Sequence, residues 1–266
     1  LVHYMEEKEL LRLLPWDAAY HPTASLKDID SNKVQTFVDL ARERRGFKLI
    51  YTDDNLPQIL RHLDLLSEDN RLTNSALLLF AHKPQSFFPT SEIKCMAFPT
   101  HIKSKPVLSY QVFRGNVFEL VDAAVGFVME HIDAAVGEHH TTSVDVKYEI
   151  PIKAVTELIV NAIAHRAYDS NGSVEVAVYR DRLEVWNPGQ LPYGMTTAML
   201  SRLHNSMPTN PILATPMYLA GYIERIGTGT TDVIEACEEI GLSAPEFEQD
   251  ENFRAIIETV KEVGTY

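Results

Sequence analysis

The chain is poor in cysteine, with only Cys95 and Cys237 among its 266 residues. A single pair that far apart gives neither a disulfide scaffold nor a metal-ligand spacing, which excludes both as organising features. No apolar run approaches the roughly 20 residues that a membrane helix needs, and no signal peptide opens the chain. With two thiols, this is the profile expected of a cytoplasmic protein with no membrane partner. Positive charge is also scarce: 24 Lys and Arg stand against 37 Asp and Glu, for a net charge of −13. Clustered basic side chains are what grip phosphate backbones, so this chain alone is expected to bind DNA weakly. Its densest basic run, Arg42, Arg44, Arg45 and Lys48, is broken by Glu43 and reads as the basic last turn of a helix. There is no Gly-Lys-Ser/Thr phosphate loop, no internal repeat and no low-complexity tract.

What is present is the composition of a globular protein, 45% hydrophobic and 23% charged. The opening LVHYMEEKELLRLLP reads as mid-protein, so a further N-terminal domain is expected, with 1–70 its tail or linker. Asp30 or Ser31 is predicted to cap a helix through Val34, Phe37, Val38 and Ala41 that stops at Gly46, and a second helix fits Leu56 to Leu66. Residues 71–136 read as a smaller α/β connecting region. In it Ser75 to Phe80, an unbroken apolar run, and Ile93 to Phe98 are predicted strands, and Asn116 to Val136 a long helix. That helix has an apolar face through which a homodimer is left open. The polar run at 137–143 reads as a linker, and His139 and His140 within it as solvated loop residues. A module at 144–250 and an extension at 251–266 complete the chain.

The richest segment is AVTELIVNAIAHRAY at 154–168. Glu157, Asn161 and His165 recur every fourth residue and so line one stripe of a helix. Almost everything around them is apolar. Burying a carboxylate beside an amide costs several kcal/mol unless something pairs with them, roughly what a ligand or metal ion would do. The alternative is an amphipathic helix with a narrow wet face. Next, Ser173 to Arg180 alternates as a strand, with a turn at Arg180 and Asp181. Its hairpin partner Leu183 to Asn187 sets Asn187 on the face of Leu183 and Val185, just before Pro188 and Gly189. Downstream, Gly227-Thr228-Gly229 opens a helix carrying Val233 and Cys237 that closes at Gly241. Backbone N–H groups at such a start form a ready anion site, with Arg225 placed to face a phosphate or solvent. These elements predict helices on one face of a mixed, mostly antiparallel sheet, their polar residues converging on one cavity.

In this order the features resemble the GHKL ATPase fold, a helix-on-sheet α+β architecture. ELIVNAIAHRAY, RLEVWNPGQLP, TNPILA and ERIGTGT are similar to the bacterial RecG-like and transcriptional-regulator proteins, in which a Schlafen AlbA-type DNA-binding domain precedes such a module. The resemblance covers about residues 70 to 250. It implies ATP and Mg²⁺ as ligands, with DNA reached only through the N-terminal domain. By the same resemblance Glu157 would be the general base and Asn161 a Mg²⁺ ligand, while His165 would touch a phosphate or serve structure. Asn187 falls where an Asp normally takes the adenine amino group, Gly189 lets the base approach the backbone, and Gly227, Thr228 and Gly229 form the phosphate loop. Asn at 187 keeps an acceptor and loses its charge, and MTTAMLSRLHNSMPTNP replaces the usual lid, with His204 and Asn205 as loop residues able to close over a nucleotide. Slow turnover or none is expected, and the missing motor motifs exclude a helicase. The expected function is an ATP-binding regulatory module. The alternatives are a non-catalytic sensor or dimerisation module, or a protein kinase of the anti-sigma type.

Overall fold

The computed structural model describes residues 15–136, 146–224 and 227–259. Helix α1 (Ser31–Arg45) starts on the Asp30 side chain, which accepts from the Asn32 amide, and ends at Gly46 with φ 65°, a left-handed stop that glycine adopts without strain. It is followed by α2 (Leu56–His62), α3 (Asn74–Phe80), β1 (Ile93–Ala97), β2 (Ser109–Phe113) and α4 (Val117–His131). Then come β3 (Ala134–Val136), β4 (Val146–Tyr148), α5 (Ile152–Ala164), β5 (Val174–Val178) and β6 (Arg182–Asn187). The short α6 (Thr197–Leu200), α7 (Pro211–Leu219), α8 (Gly229–Glu239), β7 (Glu246–Gln249) and β8 (Phe253–Glu258) complete the order.

Six strands form one sheet in the order β2-β1-β5-β6-β8-β7, with β1 parallel to β5 and every other pairing antiparallel. β3 and β4 pair separately. The sheet takes β1 and β2 from the region read as a connecting segment and β8 from beyond residue 250. Its register puts Cys95, Val176, Val185 and Ala255 in one row. All four are buried in the core, together with the apolar residues of α4, α5 and α8. That face is the expected helix-on-sheet layer. The opposite face carries a small buried hydrophobic cluster of Met96, Phe98, Ala177 and Tyr179.

Three sequence expectations change. Ser75 to Phe80 lies in a helix, not a strand: the Thr73 hydroxyl caps it by accepting from the Ala76 amide at 3.2 Å. Residues 74–80 are buried on every side, so the run carries no period from which to choose between strand and helix. The helix predicted to reach Val136 ends at His131, where Ile132 turns extended and 134–136 pair with β4. Its apolar face (Leu120, Val121, Ala124, Phe127, Val128) is spent inside the chain's own core and offers no surface for self-association. The second helix stops at His62, and Asp64 follows with φ 58°. The linker with His139 and His140, and Arg225, lie outside the described residues. No helix among the described residues is long and apolar enough to cross a membrane.

The segment before α1 is woven into the same body. Asp17, fully buried, accepts from the amides of Ile212 (2.7 Å) and Leu213 (3.2 Å) and so caps α7 from far away in sequence. Burial raises its carboxyl above the ordinary range even against those two hydrogen bonds. Trp16 stacks on Tyr168 at 5.2 Å between centroids.

Candidate functional site

A cavity of about 440 Å³ opens between the helix layer and one end of the sheet. Glu157, Asn161 and His165 from α5 line it, as do Asn187 at the end of β6 and Gly227 and Gly229 at the start of α8. Two of the residues expected to bind nucleotide are not on its wall. Gly189 packs its Cα against the backbone of His165 and Ala167, and the Ala167 amide donates to the Pro188 carbonyl at 2.7 Å. Thr228 points its hydroxyl at Asp232, 3.4 Å away, while Thr230 lines the cavity instead.

The helical stripe works as its spacing implies. The Asn161 amide nitrogen donates to Glu157 Oε1 at 3.0 Å, which leaves the Asn161 carbonyl oxygen to accept elsewhere. Burial raises the Glu157 carboxyl above the ordinary glutamate range, and the negative charges of Asp232 and Glu224 add to the shift against the Asn161 hydrogen bond and Lys153. Gly229 lies directly on this carboxylate: a Cβ at 229 would collide with Glu157 Oε1. At Gly227 (φ 75°) a Cβ would collide with the His204 carbonyl oxygen, so the glycine loop and the segment over the cavity touch through backbone. Burial, with His204 nearby, pushes His165 down to about 4, leaving a neutral imidazole at neutral pH, 3.3 Å from the Thr209 hydroxyl.

At the other end the wall is apolar: Val185, Leu191, Phe247, Phe253 and Ala255 surround Asn187. Asn187 is 4% exposed, and its Oδ1 is buried without a hydrogen-bond partner among the described residues. Leaving such an acceptor unmet costs about 1–3 kcal/mol, so this atom points to a missing donor.

Several contributors were not read from sequence. Gln249 fixes the 189–191 turn by accepting from the Leu191 amide at 2.9 Å. Asn210, buried, donates to the carbonyls of Ala164 and Arg166 at 2.9 Å each and so closes the C-terminal end of α5. His204, Ser206, Met207 and Pro208 cover the cavity, whereas Asn205 is exposed and not on its wall. Glu224 lines the wall as a second carboxylate, and no Lys or Arg does so among the described residues. Arg166 turns away from the cavity, toward Thr90 (2.9 Å) and the Gly172 carbonyl (2.6 Å).

Residues 171–257 match the family described as "Putative ATP-dependent DNA helicase recG C-terminal". This part of the chain resembles an ATPase domain. The match supports a GHKL-like module and points to nucleotide binding. It takes in Asn187, Gly189 and the glycine loop but begins after α5, so Glu157, Asn161 and His165 stand on geometry alone. Among solved structures, the DIP2311 protein from Corynebacterium diphtheriae is similar in fold, with a TM-score of 0.71 at 22% identity over 93% of this chain and 48% of that one. The chain thus spans about half the length of that protein. No curated protein matches the sequence.

Proposed function

We propose that the chain is an ATP-binding module that sets the adenine against Asn187 and runs the triphosphate toward Glu157, Asn161 and the start of α8. It is the regulatory part of a longer bacterial DNA-binding protein whose contact with DNA lies in another region. The observation that carries the reading is the orphaned Asn187 Oδ1 at the apolar end of the cavity. An adenine amino group is a donor of the right kind for it, and a guanine presents a carbonyl oxygen there instead.

Mg²⁺ fits the other end. It takes one or two protein oxygens and keeps water and phosphate as its remaining ligands, so the single free carbonyl oxygen of Asn161 is an adequate donor. When bound, the ion supplies charge neutralisation of the phosphates. Glu157 is placed to accept a proton from water, and its raised proton affinity brings it nearer to neutral pH, where a general base works best. His165 stays neutral and orients the covering segment through Thr209.

One observation favours a second reading, a module that binds nucleotide without hydrolysing it. Gly229 packs on Glu157 Oε1, which narrows the approach of a water to that oxygen. Slow turnover is the expected outcome. Helicase activity is not proposed for the chain.

Calorimetric titration with ATP, ADP and GTP, with and without Mg²⁺, tests the reading. Saturable, Mg²⁺-dependent binding that favours ATP over GTP supports it. No saturable binding of any of the three removes it.

A further inference from the structure

We infer that Arg45, on α1 and 179 residues before Glu224, is a positioning residue that sets affinity for the phosphate end of the ligand by neutralising Glu224. The inference rests on the nucleotide reading above. Its starting point is electrostatic. The described wall of the cavity carries Glu157 and Glu224 and no Lys or Arg, yet the proposed ligand brings two or more negative charges of its own. Like charges brought to one wall repel each other. Mg²⁺ and the amides of α8 offset part of this, and a cation paired with Glu224 offsets more.

Arg45 is built for the task. Its Nη2 lies 2.5 Å from Glu224 Oε1, and its Nε donates to the Tyr218 carbonyl at 3.4 Å. Its guanidinium also stacks over the Tyr218 ring at 4.7 Å. Tyr218 and Glu224 are both wall residues, so one side chain from a distant helix holds two of them. Arg44 reinforces the contact. It reaches the Gly221 carbonyl at 3.5 Å, and its stem lies where a Cβ at Gly221 (φ 77°) would stand. The close approach of α1 to the 218–224 segment thus uses a glycine that no larger residue could replace without moving Arg44. Paired with Arg45, Glu224 presents less net negative charge to the cavity, although part of that charge still reaches Glu157. Without Arg45, Glu224 faces the polyphosphate uncompensated. The basic last turn of α1 is therefore part of the ligand site, reached by folding.

The test uses the whole chain as wild type, Arg45→Gln, Arg45→Lys, Glu224→Gln and the double variant Arg45→Gln/Glu224→Gln, titrated with MgATP, MgADP and adenosine at low and high salt. Arg45→Gln should weaken MgATP about tenfold, the size of one unit charge near a polyphosphate at an effective dielectric constant of about 20–80. The loss should shrink from MgATP to MgADP to adenosine and fade in high salt. Arg45→Lys, which keeps the charge and loses the planar fork, should retain most of the MgATP affinity, and the double variant should recover to near wild type. If Arg45→Gln weakens all three ligands equally, or the double variant fails to recover, Arg45 acts through packing alone and the inference falls. If wild type binds no nucleotide, the reading of the site fails first, and that outcome is told apart by the wild-type titration.

Discussion

The two ends of the cavity are built by different means. The end around Asn187 is made by strands: alternation along β6 and β8 lines it with Val185, Phe253 and Ala255, and a single polar atom stands out because it has no partner. The end around Glu157 is made by one face of α5, the start of α8 and loops. There charge is dense, glycine lets backbone lie on a carboxylate, and the ion partner of Glu224 comes from a distant helix. A sheet sets side-chain direction by parity over a rigid frame, so this end is preformed. The helical end depends on contacts between segments distant in sequence, and in the proposed reading the first end takes the base and the second the phosphates.

The largest expected effect lies at the helical end. Glu157→Gln should lower any hydrolysis by about 10²- to 10⁴-fold, the usual contribution of a positioned base, while leaving nucleotide affinity close to wild type. Single-turnover phosphate release beside calorimetry measures both. In wild type the rate should rise with pH along a limb above the ordinary glutamate range, because burial raises that carboxyl. A variant that loses affinity and rate together would show that the carboxylate is structural.

Gly229→Ala comes next. The new methyl must displace the Glu157 carboxylate, and overpacking of this kind costs about 1–3 kcal/mol. The thermal midpoint should fall, and MgATP should weaken while adenosine loses far less, since the change is confined to the phosphate end. An equal loss for both would erase the distinction between the ends.

Asn187→Ala probes the strand-built end alone. One hydrogen bond is worth about 0.5–1.5 kcal/mol, so ATP should weaken by about 2- to 13-fold and the preference over GTP should collapse. Competition between the two nucleotides reads this directly, and an unchanged preference would place the base elsewhere.

The smallest effect concerns His165. Burial depresses its folded pKa to about 4, below the ordinary histidine value of about 6.5. The stability tied to its neutral form is therefore complete above about pH 6.5 and lost as pH falls toward 4. Thermal melts at pH 7.5 and pH 5 should differ less in His165→Asn than in wild type.

Much of this arrangement was legible because it is periodic or local. The spacing of four in Glu157, Asn161 and His165 determined a shared stripe, whatever the rest of the fold. Parity along Leu183, Val185 and Asn187 determined which face the amide takes, and Asp30 and Gly46 marked the ends of α1 by capping chemistry alone. The run at 75–80 was illegible because a segment buried on all sides has no face to betray its period.

Tertiary structure alone decided the contacts that have no local signal. Asp17 caps a helix that begins at Pro211, Asn210 closes the end of α5, and Arg45 neutralises Glu224. In each case a polar group satisfies a partner far away in sequence, and a single chain read in order carries no mark of that distance. The same holds for the empty acceptor on Asn187. Its direction followed from alternation, but only the packed walls of β6, β7 and β8 show that no described residue reaches it. Sequence periodicity sets which way a side chain points, and the folded chain sets what, if anything, it meets.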